Sequence, residues 1–127
     1  MQEQPFRIAA DPARKLVSIA FDTVFWDVGI ADRFRTDCLA AVASLGCGPG
    51  EHLILVDLHN AVLQSKEVYD RMQVLAGEAT ARRIALIASA PLARMQTKRL
   101  QIRDNILMFA DLDSAQAWLF EEERRAA

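Results

Sequence analysis

One short stretch, Asp57-Leu58-His59-Asn60-Ala61-Val62-Leu63-Gln64-Ser65, collects a carboxylate, an imidazole, an amide and a hydroxyl. These are the groups that acid–base chemistry, ligand recognition or phosphate transfer would use. Asp57 closes the apolar run Leu53-Ile54-Leu55-Val56. There it either turns the following loop through its own side chain or borders a crevice, since open α/β sheets place ligands outside the carboxyl ends of their strands. Ser65 opens a helical pattern, so its hydroxyl suits an N-cap. A phosphate on it would also sit well at a helix N-terminus.

Metal and covalent chemistry find less support. His52 and His59 lie at the two ends of one strand-like run, and their odd spacing points them to opposite faces. No cysteine pair stands at ligand spacing, so no metal centre is expected. Cys38 falls on an apolar helix face and reads as a small buried hydrophobe, whereas Cys47 belongs to a turn. Gly46-Cys47-Gly48-Pro49-Gly50 lacks the Gly-Lys-Ser/Thr of a phosphate loop and acts as punctuation. Nothing aligns a base with a nucleophile, and nothing calls for a cofactor. The chain is therefore expected to bind and not to catalyse.

The elements that must position these residues follow from periodicity. The 127 residues are 52% hydrophobic and 25% charged, enough apolar material for one domain spanning 1–127. A net charge of -2 argues against a nucleic-acid binder. The longest apolar stretch, Ile84 to Ala93, is about half what a membrane span needs. Met1-Gln2-Glu3-Gln4-Pro5 has no basic or apolar leader pattern, and two cysteines make no disulfide framework, so a cytoplasmic location is the expectation.

Phe6–Ala9 and Leu16–Phe21 flank a Pro-led turn and predict a hairpin. Helical spacing covers Ile30 to Leu45, and Gly46 stops it. Leu53–Val56 and Ile84–Ala88 are continuous apolar runs of the kind buried in parallel sheets. Between them a helix runs from its cap Ser65 through Ala76. Pro91 starts a third helix, expected to reach about Arg103. Ile106–Phe109 forms the last strand, and Asp111 or Asp113 caps a final helix carrying Ala115, Trp118 and Leu119 inward. The order β-β-α-β-α-β-α-β-α predicts an α/β domain with a mostly parallel sheet.

Two stretches do not reduce to that frame. The connection Val24-Phe25-Trp26-Asp27-Val28 is rich in large apolar groups, which either plug the sheet end, border a pocket or form an interface. Arg82 to Arg103 carries six basic residues and no acidic one. On a helical wheel Arg94, Thr97, Lys98 and Gln101 face solvent. Arg99 and Arg103 fall within an apolar arc of Leu92, Met95, Leu100 and Ile102. There Arg99 must snorkel, pair with a carboxylate or meet an anion such as a lipid headgroup. Phe120, off the last helix's apolar stripe, is a dimer-contact candidate.

The element order resembles the STAS fold of sulfate transporters and anti-sigma factor antagonists, and the local residues resemble its bacterial SpoIIAA-like (STAS/CRAL-TRIO-like) branch. The resemblance rests on Phe25-Trp26, Leu55-Val56-Asp57-Leu58, Ala93 to Leu100, Phe109-Ala110 and Ala115 to Leu119. It implies a non-enzymatic regulatory or ligand-binding module, commonly a homodimer, in some members with an apolar pocket linked to lipid or membrane contact. The antagonists carry Asp-Leu-Ser-Gly after the third strand and a phosphorylatable Ser at the next helix start. Here His59-Asn60 replaces Ser-Gly, and Lys66 takes the phosphoacceptor position. Two expectations follow. One is a protein-interaction module using Asp57, His59, Asn60 and the Ser65 helix. The other is a binder of a small apolar or lipid-like ligand between Phe25-Trp26 and Val62-Leu63, with Arg99 available for peripheral membrane contact.

Overall fold

In a computed structural model of the protein, residues 5–62 and 64–121 are described. The hairpin pairs β1 (Phe6–Asp11) with β2 (Leu16–Phe21) antiparallel. Then follow α1 (Val28–Ser44), β3 (Leu53–Asp57), α2 (Lys66–Glu78) and β4 (Arg83–Ile87). The chain continues through α3 (Pro91–Thr97), a single 3-10 turn at Lys98–Leu100, β5 (Ile106–Phe109) and α4 (Leu112–Leu119). The sheet runs β1-β2-β3-β4-β5, with β2 through β5 parallel. β3 and β4 are neighbouring inner strands, as their unbroken apolar runs require.

Strand order that follows chain order has a physical consequence. Each right-handed crossover steps the same way, so α1, α2 and α3 share one face. Val17, Ile19 and Phe21 of β2, Val56 of β3, and Ile84 and Leu86 of β4 build the core beneath them. The alternate residues Leu16, Leu53, Leu55, Ala85 and Ile87 turn to the other face and meet Ala115 and Leu119 of α4.

Local chemistry sets the boundaries. Asp27 caps α1, its Oδ1 accepting from Ile30 N at 2.8 Å. Gly46, at φ 71°, takes the left-handed conformation that ends the helix. Asp111, not Asp113, caps α4: its carboxylate accepts from Ser114 N at 2.8 Å, which lowers its pKa.

The third helix departs from expectation. It ends at Thr97, and the tighter turn that follows carries Leu100 into the core. Thr97, expected at the surface, is buried, while Leu92, Met95 and Ile102 are exposed. The wheel assumed that the bulkiest stripe turns inward. Here the sheet side is occupied by small groups, Ala93 and Thr97. Arg103 lies beyond the helix, and its guanidinium donates to Ala76 O at 2.8 Å and Ala79 O at 2.7 Å. It thus satisfies carbonyls at the end of α2, where a cation also complements the helix dipole.

Candidate functional site

The carboxyl ends of β2, β3 and β4 open onto one rim, built from the β2–α1 connection, the β3–α2 connection and the start of α3. The centre of this rim is Gln64, a buried glutamine. Its Oε1 accepts from Trp26 N at 2.8 Å and its Nε2 donates to Val24 O at 3.0 Å. Its backbone N donates to Gln96 Oε1, and its backbone O accepts from Gln96 Nε2, both at 3.3 Å. One residue thereby ties the β2–α1 and β3–α2 connections to the last turn of α3. Thr23 Oγ1 adds a bond to Asn60 O at 2.8 Å, and Arg94 donates to Ala88 O at 2.7 Å. These bonds order the backbone of the rim, while the buried indole Nε1 of Trp26 has no hydrogen-bond partner among the described residues.

Trp26 and Phe25 part company on this frame. Trp26 is 5% exposed and stacks on Phe21 at 4.7 Å between ring centroids, with Phe6 and Phe34 completing the cluster. It plugs the end of the sheet. Phe25 is 73% exposed. Leu92, at 63%, and Met95, at 69%, stand exposed on α3, and Met95 adjoins Gln96 as Phe25 adjoins Trp26. Aromatic and Met side chains are enriched at contact surfaces relative to the rest of a protein's exterior. Lys98 and Arg99 are exposed just beyond them, and Arg99 offers its carbonyl to Gln73 Nε2 at 2.8 Å. Tyr69 beneath is buried, which pushes its hydroxyl pKa up to about 12.

Of the polar residues singled out in the sequence, Asp57 and Ser65 take structural roles on the same rim. Asp57 Oδ1 accepts from His59 N at 2.9 Å and so turns the loop. His59 and Asn60 are exposed. Ser65 caps α2, accepting from Val68 N at 3.3 Å. Lys66 pairs with Asp70 at 2.8 Å. Asp57, His59, Asn60 and Ser65 therefore lie along one loop, with Trp26 and Phe25 across from them on the neighbouring connection; Leu63 lies outside the described residues. Among the described residues no group of three or more His, Cys, Asp or Glu could hold a metal ion. No described helix is long and apolar enough to cross a membrane.

Sequence reasoning passed over Gln64, and it placed Leu92 and Met95 in an apolar arc expected to turn inward, where the structure exposes them. A glutamine directly after the apolar triplet Ala61-Val62-Leu63 was the available signal. The exposure of Leu92 and Met95 left no signal, because helical spacing reports a stripe and not its direction.

No protein-family model matches the chain, and no curated protein matches it. Solved structures do. An uncharacterized protein of the DUF3478 family with a SpoIIAA-like fold, from Shewanella loihica PV-4, superposes with a TM-score of 0.70 at 16% identity, covering 94% of this chain and 98% of that one. An anti-sigma factor antagonist from Mycobacterium paratuberculosis superposes with a TM-score of 0.64 at 12% identity, covering 90% and 93%. At such identities the likeness is one of fold, and the fold is SpoIIAA-like, of the STAS type.

Proposed function

We propose that this SpoIIAA-like domain is a regulatory protein-interaction module. It binds a partner protein across the rim that carries Phe25, Leu92 and Met95, and it performs no chemistry of its own. The observation behind this reading is the exposure of Phe25 on the β2–α1 connection and of Leu92 and Met95 on α3, two segments that Gln64 ties together. An ordered apolar surface loses little conformational entropy on docking, so more of its burial appears as affinity. Lys98 and Arg99 at its border favour a partner whose own border is acidic. The likeness in fold to an anti-sigma factor antagonist, a protein named for acting against another protein's regulator, supports the same class of role. Because Asp57, Ser65 and Lys66 are engaged as a loop turn, a helix cap and an ion pair, the reading invokes no phosphate switch.

The test is site-specific photo-crosslinking in the native host with the crosslinker at position 25 or 95, and at Ala9 on the far strand β1 as control. Adducts to a different protein at 25 and 95, absent at 9 and lost when the two other rim residues are changed to Ser, support the reading. Adducts to a second copy make the rim a homodimer face instead. Absence of protein adducts, together with sedimentation on anionic vesicles that Lys98→Ala/Arg99→Ala abolishes, makes it a membrane surface; either result overturns the proposal.

A further inference from the structure

A second surface runs along the outer edge of β1. Among the described residues β1 pairs with β2 and with no other strand. Asp22 N donates to Pro5 O at 3.1 Å, which marks the pair just before Phe6 and Phe21 as hydrogen-bonded. Antiparallel ladders alternate, so Arg7, Ala9 and Asp11 exchange their backbone bonds with Ala20, Ser18 and Leu16. The N–H and C=O groups of Phe6, Ile8 and Ala10 therefore point away from the sheet. Phe6 is buried, whereas Ile8 is half-buried and Ala10 exposed, so the reachable groups are those of Ile8 and Ala10.

An unpaired row of this kind is a template for another strand, and proteins usually blunt it with Pro, Lys or a bulge. β1 has none of these: its register against β2 is unbroken from Phe6 to Asp11, and Pro12 falls beyond it. It carries one cation and one anion instead. Arg7 and Asp11 lie on one face of the strand, with Ala9 midway between them. Arg7 and Ala9 are exposed and Asp11 is half-buried. In charge, Arg7-Ile8-Ala9-Ala10-Asp11 is its own complement when an identical strand runs the opposite way.

We infer that β1 pairs antiparallel with β1 of a second copy, about a twofold axis at Ala9, so that the two sheets become one. Only outward-pointing groups form the new ladder, which leaves few registers. An axis at Arg7 sets the two Arg7 side chains against each other. An axis at Ile8 depends on the buried backbone of Phe6, and an axis at Ala10 sets Ile8 against Pro12, which has no N–H to give. With the axis at Ala9, Ile8 of each copy exchanges both bonds with Ala10 of the other. Arg7 of each copy then stands directly opposite Asp11 of the other, in the kind of pair that brings side chains closest. Within one copy Arg7 meets Asp22 at 3.3 Å and Arg14 meets Asp11 at 2.9 Å. The contact joins these pairs into a row of alternating sign. The same two charges disfavour an unlike strand, which gives the edge its specificity. This contact is independent of the rim and of whatever docks there.

Sedimentation equilibrium of the full chain at rising concentration is expected to show monomer and dimer. Arg7→Asp sets acid against acid and Asp11→Arg sets base against base. Each alone should weaken the dimer about tenfold or more, because both symmetric pairs change from attraction to repulsion. Mixing the two variants makes every cross-pair opposite in sign again, and a heterodimer should form. Ala10→Pro removes an N–H that bonds nothing within one copy, so it should abolish the dimer and leave circular dichroism unchanged. Ala9→Cys, with Cys47→Ser, should oxidise to a covalent dimer, since the axis brings the two positions within disulfide reach. A wild type that stays monomeric at the highest attainable concentration, a mixture that stays monomeric, or a dimer that survives Ala10→Pro would overturn the assignment. A dimer that survives Ala10→Pro and is lost on Phe25→Ser would move the contact to the rim. Should Asp11→Arg not fold, Ala10→Pro decides; should Ala10→Pro not fold, the mixture decides.

Discussion

The side-chain carbonyl of Gln64 accepts a hydrogen bond from the backbone N–H of Trp26 at 2.8 Å, joining the β2–α1 and β3–α2 connections across the carboxyl ends of two parallel strands. Trp26 is held with its ring in the core, and the alternation of the chain then leaves Phe25 in solvent. The exposure of one ring is thus mechanically tied to the burial of the next.

Removing that amide should be felt at both ends. Gln64→Ala strands the Trp26 N–H in a buried place and leaves the half-buried Val24 carbonyl without its partner, and a loss of about 2 kcal/mol is expected from chemical denaturation. Phe25→Ser should leave stability within about 0.5 kcal/mol of wild type, as surface changes do. A large loss for Phe25→Ser would show the ring packed, and not presented.

Ser65 is a cap before it is anything else. Ser65→Ala should cost about 1 kcal/mol, whereas Ser65→Asp should restore most of it, because a carboxylate accepts from the same N–H and favours the helix N-terminus. Equal destabilisation by both substitutions would place the role of Ser65 outside capping.

The two thiols should differ in reactivity. Burial pushes the Cys38 thiol up to about 12, so almost no thiolate forms near neutral pH. Cys47 lies half-buried in the loop after α1. A thiol reagent should label Cys47 in the folded protein and both cysteines after denaturation, read by peptide mass spectrometry. Rapid native labelling at Cys38 would mean that α1 opens from the sheet.

His52 should give stability a pH dependence with a definite sign. Its folded pKa lies below the ordinary value of 6.5, so the unfolded chain binds the proton first on acidification. Stability from this residue is complete above that ordinary value and declines as pH falls below it, levelling off once the folded ring also protonates. Urea midpoints between about pH 7.5 and 5.5 should therefore fall, and His52→Leu should flatten that part of the curve. A slope unchanged by His52→Leu would assign the titration to another group.

What the chain alone determined was its periodicity. The unbroken runs Leu53–Val56 and Ile84–Ala88 specify strands covered on both faces, and the structure places them side by side in the sheet interior. Asp27, Ser65 and Asp111 cap their helices with short oxygen-bearing side chains, a local interaction that needs only neighbouring backbone. What tertiary structure decided was direction and partnership. Spacing places Leu92 and Met95 on one stripe of α3, yet only the fit of Ala93 and Thr97 against the core turns that stripe to solvent. Gln64 finds Trp26, Val24 and Gln96 across about thirty to forty residues of chain, and His52 meets a cavity walled by two helices remote from it in sequence. A pattern along one element records which groups share a face. The element packed against that face decides whether they are buried, bonded or left to bind something else.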